Sequence, residues 1–201
     1  MPPTRQEVEI KFLIKDLKDL ARRLRAAGFK IKTRRTHERN VLFDLPGRPL
    51  RRKREMLRLR QYGRQWTLTH KSKGKPGRYK SRGESETVVE DGEGAAAILH
   101  ALGYRPSFVY EKFRTEWEKG DGSSHVAVVV DETPIGDVGE IEGQPRWIET
   151  TARRLRINRR DYIVSSYAEL FAQWKRRHQS RAEEMTWKAV SKRKRKPSPR
   201  S

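Results

Sequence analysis

Cysteine is absent from the 201-residue sequence, which excludes both a disulfide framework and a thiolate metal site. No apolar run approaches the ~20 residues that a membrane-spanning helix needs, and the N-terminus lacks the apolar core of a signal peptide. The sequence also lacks an HExxH metal motif, a Walker-type phosphate loop and a GxSxG nucleophile motif. These absences favour a soluble, cytoplasmic protein whose chemistry uses neither a thiol nor a nucleophilic serine.

Acidic residues are scarce beside basic ones: 26 Asp and Glu stand against 47 Lys and Arg, a formal net charge of +21. By charge alone, the expected anionic partner is a phosphorylated metabolite, a nucleic acid or an anionic membrane. The length predicts one domain with a tail. We assign residues 1–176 to the domain and residues 177–201, which end in SKRKRKPSPRS, to a basic disordered tail.

Apolar and charged residues alternate in many short segments, a pattern typical of β-strands. In TRQEVEIKFLIK, for example, Glu7, Glu9 and Lys11 share one face and apolar residues share the other. Further strands are predicted in FKIKTRRTHERNVLFD (one or two), MLRLRQY, QWTLTHKS, SRGESETVVED, FVYEKFRTEWEK, HVAVVVDET and IGDVGEIEG. Helices are predicted in LKDLARRLRAAG, GEGAAAILHALG, QPRWIETTARRLRI and RDYIVSSYAELFAQWKRR, and a loop in LPGRPLRRKRE. This order indicates an α+β fold dominated by strands, arranged as a sandwich or a barrel.

The charged strand faces combine residues that suit metal ions with residues that suit phosphate. Side chains two apart on a strand point the same way, so Glu7 with Glu9, and Glu140 with Glu142, can share a hard divalent cation. Basic side chains in phase on other strands suit phosphate oxygens; these are Lys11, Arg58, Arg60, Lys71, Arg82, Lys112 and Arg114. A charged face on one strand ordinarily belongs to the solvent-exposed side of a sheet. Its repetition on six strands favours a shared polar interior.

The EVEIK segment resembles the ExExK signature of the CYTH superfamily, the triphosphate tunnel metalloenzymes. HERNVLFD, LRLR, LTHKSKG, RGESE, EKFRTEW, VDETPIGDVGEIEG and SSYAELF resemble further blocks of that family, in family order. The resemblance implies a closed, eight-stranded antiparallel barrel with flanking helices around a tunnel. It implies metal ligands at Glu7, Glu9, Glu86, Asp131, Glu140 and Glu142. It also implies triphosphate contacts from the seven bases above, with Lys11, Lys71 and Arg114 as catalytic residues.

The activity that this resemblance implies is metal-dependent chemistry on a linear triphosphate, with Mg²⁺ or Mn²⁺ as cofactor. Hydrolysis of tripolyphosphate or thiamine triphosphate is the first expectation. A class IV adenylyl cyclase, which converts ATP to cyclic AMP and pyrophosphate, is the alternative. A non-catalytic polyphosphate or RNA binder is the alternative of another class, although the acidic residues argue against nucleic acid as a partner. A homodimer remains open.

Overall fold

Eight antiparallel strands close into a barrel in the computed structural model, which describes residues 5–74, 77–119 and 126–191. Around the barrel the strands follow the order β1-β5-β4-β3-β2-β6-β7-β8. Their bounds are β1 Arg5–Leu13, β2 Lys30–Asp44, β3 Met56–Tyr62, β4 Gln65–Lys71, β5 Lys80–Val89, β6 Arg105–Lys119, β7 Val126–Thr133 and β8 Gly136–Glu142. The expected fold class and barrel closure are confirmed.

Alternation along the strands separates a charged interior from an apolar exterior. On β1, Glu9 and Lys11 are buried inside the barrel, whereas Ile10 and Phe12 pack in an outer apolar cluster. Helices flank the barrel: α1 Leu17–Ala26, α2 Pro49–Lys53, α3 Gly92–Ala101, α4 Pro145–Arg154, α5 Tyr167–His178 and α6 Trp187–Ser191, with a 3-10 turn at Arg159–Asp161. No helix within the described residues is long and apolar enough to cross a membrane.

Two helices cover the outer face of β1 and β8. Asp16 begins α1 by accepting the backbone N–H groups of Lys18 and Asp19, and the helix buries Leu20 and Leu24. Ile148 on α4 joins the same apolar cluster. These contacts fix β1, and with it the charged residues on the inner face of that strand.

Helix α5 has a different position, because it closes one end of the barrel. Ser166 forms a capping box with Glu169 at its start. Tyr167 and Phe171 then pack against Tyr110 and Val138, which share strand faces with the interior residues Lys112 and Glu140. The interior is therefore a tunnel with an apolar floor.

FKIKTRRTHERNVLFD, predicted to form one or two strands, forms one, β2. The structure corrects three details of the sequence interpretation. The predicted loop 45–55 contains the short helix α2. The last predicted helix begins only at Tyr167, because residues 162–166 run extended and Ile163 pairs with the backbone of Lys11. The third correction concerns the start of the tail.

Residues 177–191 are not a disordered tail. Met185 is fully buried, and its backbone exchanges hydrogen bonds with Val109 and Glu111 at the start of β6. β7 pairs with β6 only from Phe113 onward, so it leaves the edge of β6 at residues 109–111 free. The segment around Met185 pairs with this free edge. The ring of Trp187 also lies 5.2 Å from the ring of Phe113. Residues 192–201 lie outside the described residues.

Candidate functional site

The tunnel wall carries charged side chains from every strand. Eight are basic: Lys11, Arg58, Arg60, Lys71, Lys80, Arg82, Lys112 and Arg114. Nine are acidic: Glu7, Glu9, Glu38, Glu84, Glu86, Glu116, Asp131, Glu140 and Glu142. The formal charge of the wall is therefore −1, despite the large positive charge of the chain.

Three acids form a cluster where β1 meets β8. One carboxylate oxygen from each of Glu7, Glu9 and Glu142 lies within 4.8 Å of the others. The register explains this convergence, because Glu9 pairs directly with Glu142 and Glu7 is two residues away on the same face. Three lysines contact the cluster: Lys71 bonds to Glu7, and the ammonium groups of Lys80 and Lys11 lie 2.7 and 2.6 Å from Glu9.

The pKa values of this cluster reflect burial and opposing neighbours. Burial, followed by repulsion from Glu140, Glu9 and Glu7, raises the pKa of Glu142 to about 7. Burial alone would raise the pKa of Glu9, but the attraction of Lys11 and Lys80 outweighs burial and lowers this pKa to about 2. Among the described residues, Glu142 forms no ion pair with a lysine or arginine, so the repulsion within the cluster acts mainly on that carboxyl.

A second charged group lies deeper, next to the floor. Arg114 makes a bidentate contact with Asp131 at 2.8 and 2.7 Å and reaches Glu140 at 2.7 Å. The ammonium of Lys112 lies 2.8 Å from Asp131. Tyr167, the first residue of α5, donates its hydroxyl to Asp131 at 2.5 Å. The floor helix is thus bonded directly to the charged wall.

Glu38 completes this deeper group and is fully buried on β2. Its carboxylate lies 3.4 Å from the ammonium of Lys112 and 3.6 Å from the guanidinium of Arg114. Burial opposes ionisation, but Lys112 and Arg114 lower the pKa of Glu38 to about 2. Glu38 therefore stays ionised and helps to hold two wall cations in place.

A third group follows β3, β4 and β5. Arg60 reaches Glu86 at 3.2 Å and Thr67 at 3.1 Å, and Thr69 donates to Glu86 at 2.7 Å. Arg58 lies 3.5 Å from Glu86. Glu86 is thus surrounded by guanidinium and hydroxyl groups rather than by other carboxylates.

Several buried polar atoms of the tunnel have no hydrogen-bond partner among the residues that the structure describes. They are Arg58 Nε, Arg82 Nε, Glu38 Oε2, Asn40 Oδ1 and the Tyr62 hydroxyl. Buried polar groups are nearly always hydrogen-bonded in a folded protein. Unpaired donors and acceptors together in one lumen therefore point to a polar, charged guest with its water and counterions.

The structure places all predicted site residues in one tunnel but divides the predicted metal ligands. Glu7, Glu9 and Glu142 converge, whereas Glu140, Asp131 and Glu86 are engaged by arginine or lysine. Among the predicted catalytic residues, Lys11 bridges two carboxylates, Glu9 at 2.6 Å and Glu140 at 2.9 Å. These roles remain predictions.

Five tunnel residues lie outside the predicted site: Glu38, Lys80, Glu84, Glu116 and Tyr167. Glu38 alternates with Asn40 in HERN, and Lys80 is in phase with Arg82 in YKSRG, so strand alternation could have identified both. Tyr167 gave no such signal, because a tyrosine at the start of an amphipathic helix normally packs in a core.

The three clustered carboxylates fit a hard divalent cation. Oxygen donors are the ligands that Mg²⁺ and Mn²⁺ take, and a divalent cation would relieve the repulsion that Glu7 and Glu9 exert on Glu142. The charge of the wall supports the same conclusion. A guest carrying about four negative charges would meet a wall of −1 unless divalent cations entered with it.

Comparison with known proteins agrees with this geometry. The CYTH domain family matches residues 5–167. A protein of Methanocaldococcus jannaschii, provisionally named an adenylate cyclase, is 28% identical over 171 residues, covering 82% of this chain and 97% of that protein. A conserved hypothetical protein of Pyrococcus furiosus superposes with a TM-score of 0.66 at 28% identity, covering 82% of this chain and 99% of that one.

A more distant structure shows the same fold. It is a Hippeastrum protein described as a provisional adenylyl cyclase with a dominant triphosphatase activity; the TM-score is 0.62 at 18% identity, covering 83% of this chain and 95% of that one. At 18% identity, the similarity between the two proteins shows a shared fold and nothing more. Because the family match spans most of the chain, the protein belongs to the CYTH domain family.

Proposed function

We propose that the tunnel binds a linear triphosphate together with divalent metal and hydrolyses it to orthophosphate and the corresponding diphosphate. One observation carries the proposal: converging carboxylates and guanidinium groups with unbonded Nε atoms line a single lumen that is closed at one end. Polyphosphate chains need both features, because their oxygens bind guanidinium groups and divalent cations alike.

Each group of the wall has a distinct part in this reaction. Glu7, Glu9 and Glu142 would hold Mg²⁺ or Mn²⁺. When bound there, the ion would neutralise phosphate charge and promote ionisation of water. The guanidinium of Arg114 and the ammonium of Lys112, both fixed by Asp131, would bind phosphoryl oxygens and stabilise the charge that develops on them.

Lys11 is placed to contact both the metal cluster and the deeper cations. It lies between Glu9 and Glu140 and is held there by both carboxylates, which maintain its ammonium in the charged form. If a triphosphate oxygen displaced one of these carboxylates, the ammonium of Lys11 would still contact a negatively charged oxygen. Water then attacks the terminal phosphorus, the bridging P–O bond breaks, and the diphosphate leaves with its electron pair.

Cyclisation of ATP is the second candidate, and one observation favours it: the M. jannaschii relative carries an adenylate cyclase name and covers most of this chain. The Hippeastrum protein, with its described triphosphatase activity, provides a precedent for hydrolysis on the same fold. The cationic wall can serve either reaction, since only the attacking oxygen and the attacked phosphorus differ.

Product analysis distinguishes the reactions. Purified protein is incubated with tripolyphosphate, thiamine triphosphate or ATP, in Mg²⁺, Mn²⁺ or chelator. We expect metal-dependent orthophosphate release; cyclic AMP with pyrophosphate would instead establish the cyclase. Glu9→Gln should abolish turnover and leave the barrel folded, whereas Asp19→Asn, at the surface ion pair with Arg22 on α1, should have no effect. Normal turnover by Glu9→Gln would refute the metal assignment.

A further inference from the structure

The positive charge of this protein lies outside its tunnel. The eight bases and nine acids of the wall sum to a formal charge of −1, so the excess of basic residues in the described parts of the chain lies outside this set. A high surface charge attracts polyanions over distances of about 10 Å at 0.1 M ionic strength. The exterior can therefore attract a polyanion independently of the triphosphate reaction.

One exterior segment concentrates bases without acids. We call residues 48–54 the basic loop; they contain α2 and carry Arg48, Arg51, Arg52, Lys53 and Arg54, all exposed to solvent. Among the described residues, none of these five is ion-paired with a carboxylate. The loop thus presents five uncompensated cations in seven residues.

The basic loop has a defined shape rather than being a solvated run of charges. The buried carboxylate of Asp44, at the end of β2, accepts the backbone N–H groups of Leu45, Leu50 and Arg51 at 2.9, 3.1 and 3.0 Å. These bonds fix the backbone from which the five side chains project.

Two of the arginines occupy unfavourable backbone conformations. Arg48 has φ 54° and Arg54 has φ 61°, both in the left-handed region where glycine is favoured. Glycine at either position would relieve the strain. Backbone strain of this kind is concentrated at functional sites. Both arginines therefore present their charge from a backbone conformation in which glycine would be less strained.

The chemistry of the basic loop favours a phosphodiester chain over a membrane. Four of its five bases are arginine, whose planar fork binds phosphate through two hydrogen bonds. Leu50 and Pro49 are half-buried, so the loop offers no exposed apolar side chain for insertion into a bilayer. Arg105, which pairs in register with Asp44, adds an exposed base at the foot of the loop.

We propose that the basic loop binds the phosphate backbone of a nucleic acid, most directly RNA, on the outside of the barrel. The loop joins β2 to β3, which lie opposite β1 and β8 in the closed strand order, whereas the acidic cluster lies on β1 and β8. Binding at the loop and chemistry in the tunnel are therefore physically separate and can be measured separately.

The first test measures RNA binding by fluorescence anisotropy over a range of salt concentrations, with labelled 20-nucleotide single-stranded and duplex RNA. The triple variant R51Q/R52Q/K53Q is compared with R176Q/R177Q/R181Q, which removes the same charge from exposed positions in and after α5. Loss of three phosphate contacts lowers the salt slope by about 2 for single strands and weakens binding at 0.1 M salt by about tenfold or more.

Each result of this test has a definite meaning. A selective loss in the loop variant, with less than about threefold loss in the control variant, supports the proposal. Equal losses would mean that overall charge alone binds RNA and would overturn it. The proposal would also be overturned if the loop variant bound RNA normally and truncation after Ser191 abolished binding. Binding to vesicles with 30% phosphatidylserine, without binding to RNA, would overturn it as well. Triphosphate turnover should be the same in both triple variants, which separates this proposal from that of the tunnel.

A second variant tests the argument from backbone strain. R48G/R54G removes two bases and places glycine at both left-handed positions. We expect a higher Tm together with weaker RNA binding and a smaller salt slope. A lower Tm would show that the two arginines are structural and would refute their interpretation as residues retained for binding.

Discussion

Replacing the buried Glu38 with glutamine should destabilise the barrel in a manner that depends on pH. The pKa of this carboxyl is lowered from 4.5 to about 2, against the effect of burial, by Lys112 and Arg114. That difference corresponds to about 3 kcal/mol of stability at pH 7. For a domain of this length such a loss lowers Tm by about 6–12 °C.

The sign of the pH dependence follows from the direction of the shift. A carboxyl with a lowered folded-state pKa contributes its full stability above the unfolded-state pKa and loses it as pH falls toward the folded-state pKa. The difference in unfolding free energy between the native protein and Glu38→Gln should therefore shrink from about 3 kcal/mol at pH 7 to about 2 kcal/mol at pH 3.5.

Denaturant unfolding of the two proteins at pH 7, 5 and 3.5 measures this difference. Glu118→Gln provides a matched control, because Glu118 forms an exposed pair with Lys32 at 3.2 Å and should contribute less than about 1 kcal/mol at any of these pH values. A difference for Glu38→Gln that is independent of pH would refute the electrostatic account of this residue.

Two further substitutions test packing. Met185→Ala, in the segment wrongly expected to be disordered, should cost about 2–5 kcal/mol in denaturant unfolding, because Met185 is fully buried beside Tyr110; an unchanged midpoint would mean that the segment does not dock in solution. Gly139→Ala should cost about 1–3 kcal/mol, since an added Cβ would lie 2.1 Å from the ring of Phe12. Gly77→Ala is its control: the nearest atom is 3.8 Å away, and thermal unfolding should be unaffected.

Much of the tunnel could be predicted because strand alternation is a local property. Glu7, Glu9 and Lys11 share a face in any extended strand, whatever the strand packs against. Glu38 could have been recognised in the same way, but a single acid between His37 and Arg39 resembles an ordinary wet strand. Its full burial became evident only from the closed barrel.

Strand alternation could not predict which of the six predicted metal ligands come together and which are bound by arginine or lysine. Period two places Glu140 and Glu142 on one face, yet Glu142 joins the acids of β1 while Glu140 contacts Lys11 and Arg114. The register and stagger of the strands decide which carboxylates meet, and these quantities depend on partners far apart in the chain.

The sequence by itself determined the strands, their charged faces and, through resemblance, the closed barrel; the metal and phosphate chemistry stays a prediction. Only the tertiary structure decided that Tyr167 bonds to the wall from the floor helix and that Met185 completes the edge of β6. It also decided where the charge lies. Local patterns specify which residues face the same way, whereas the neutral tunnel and the basic exterior arise from long-range pairing that brings distant acids and bases together.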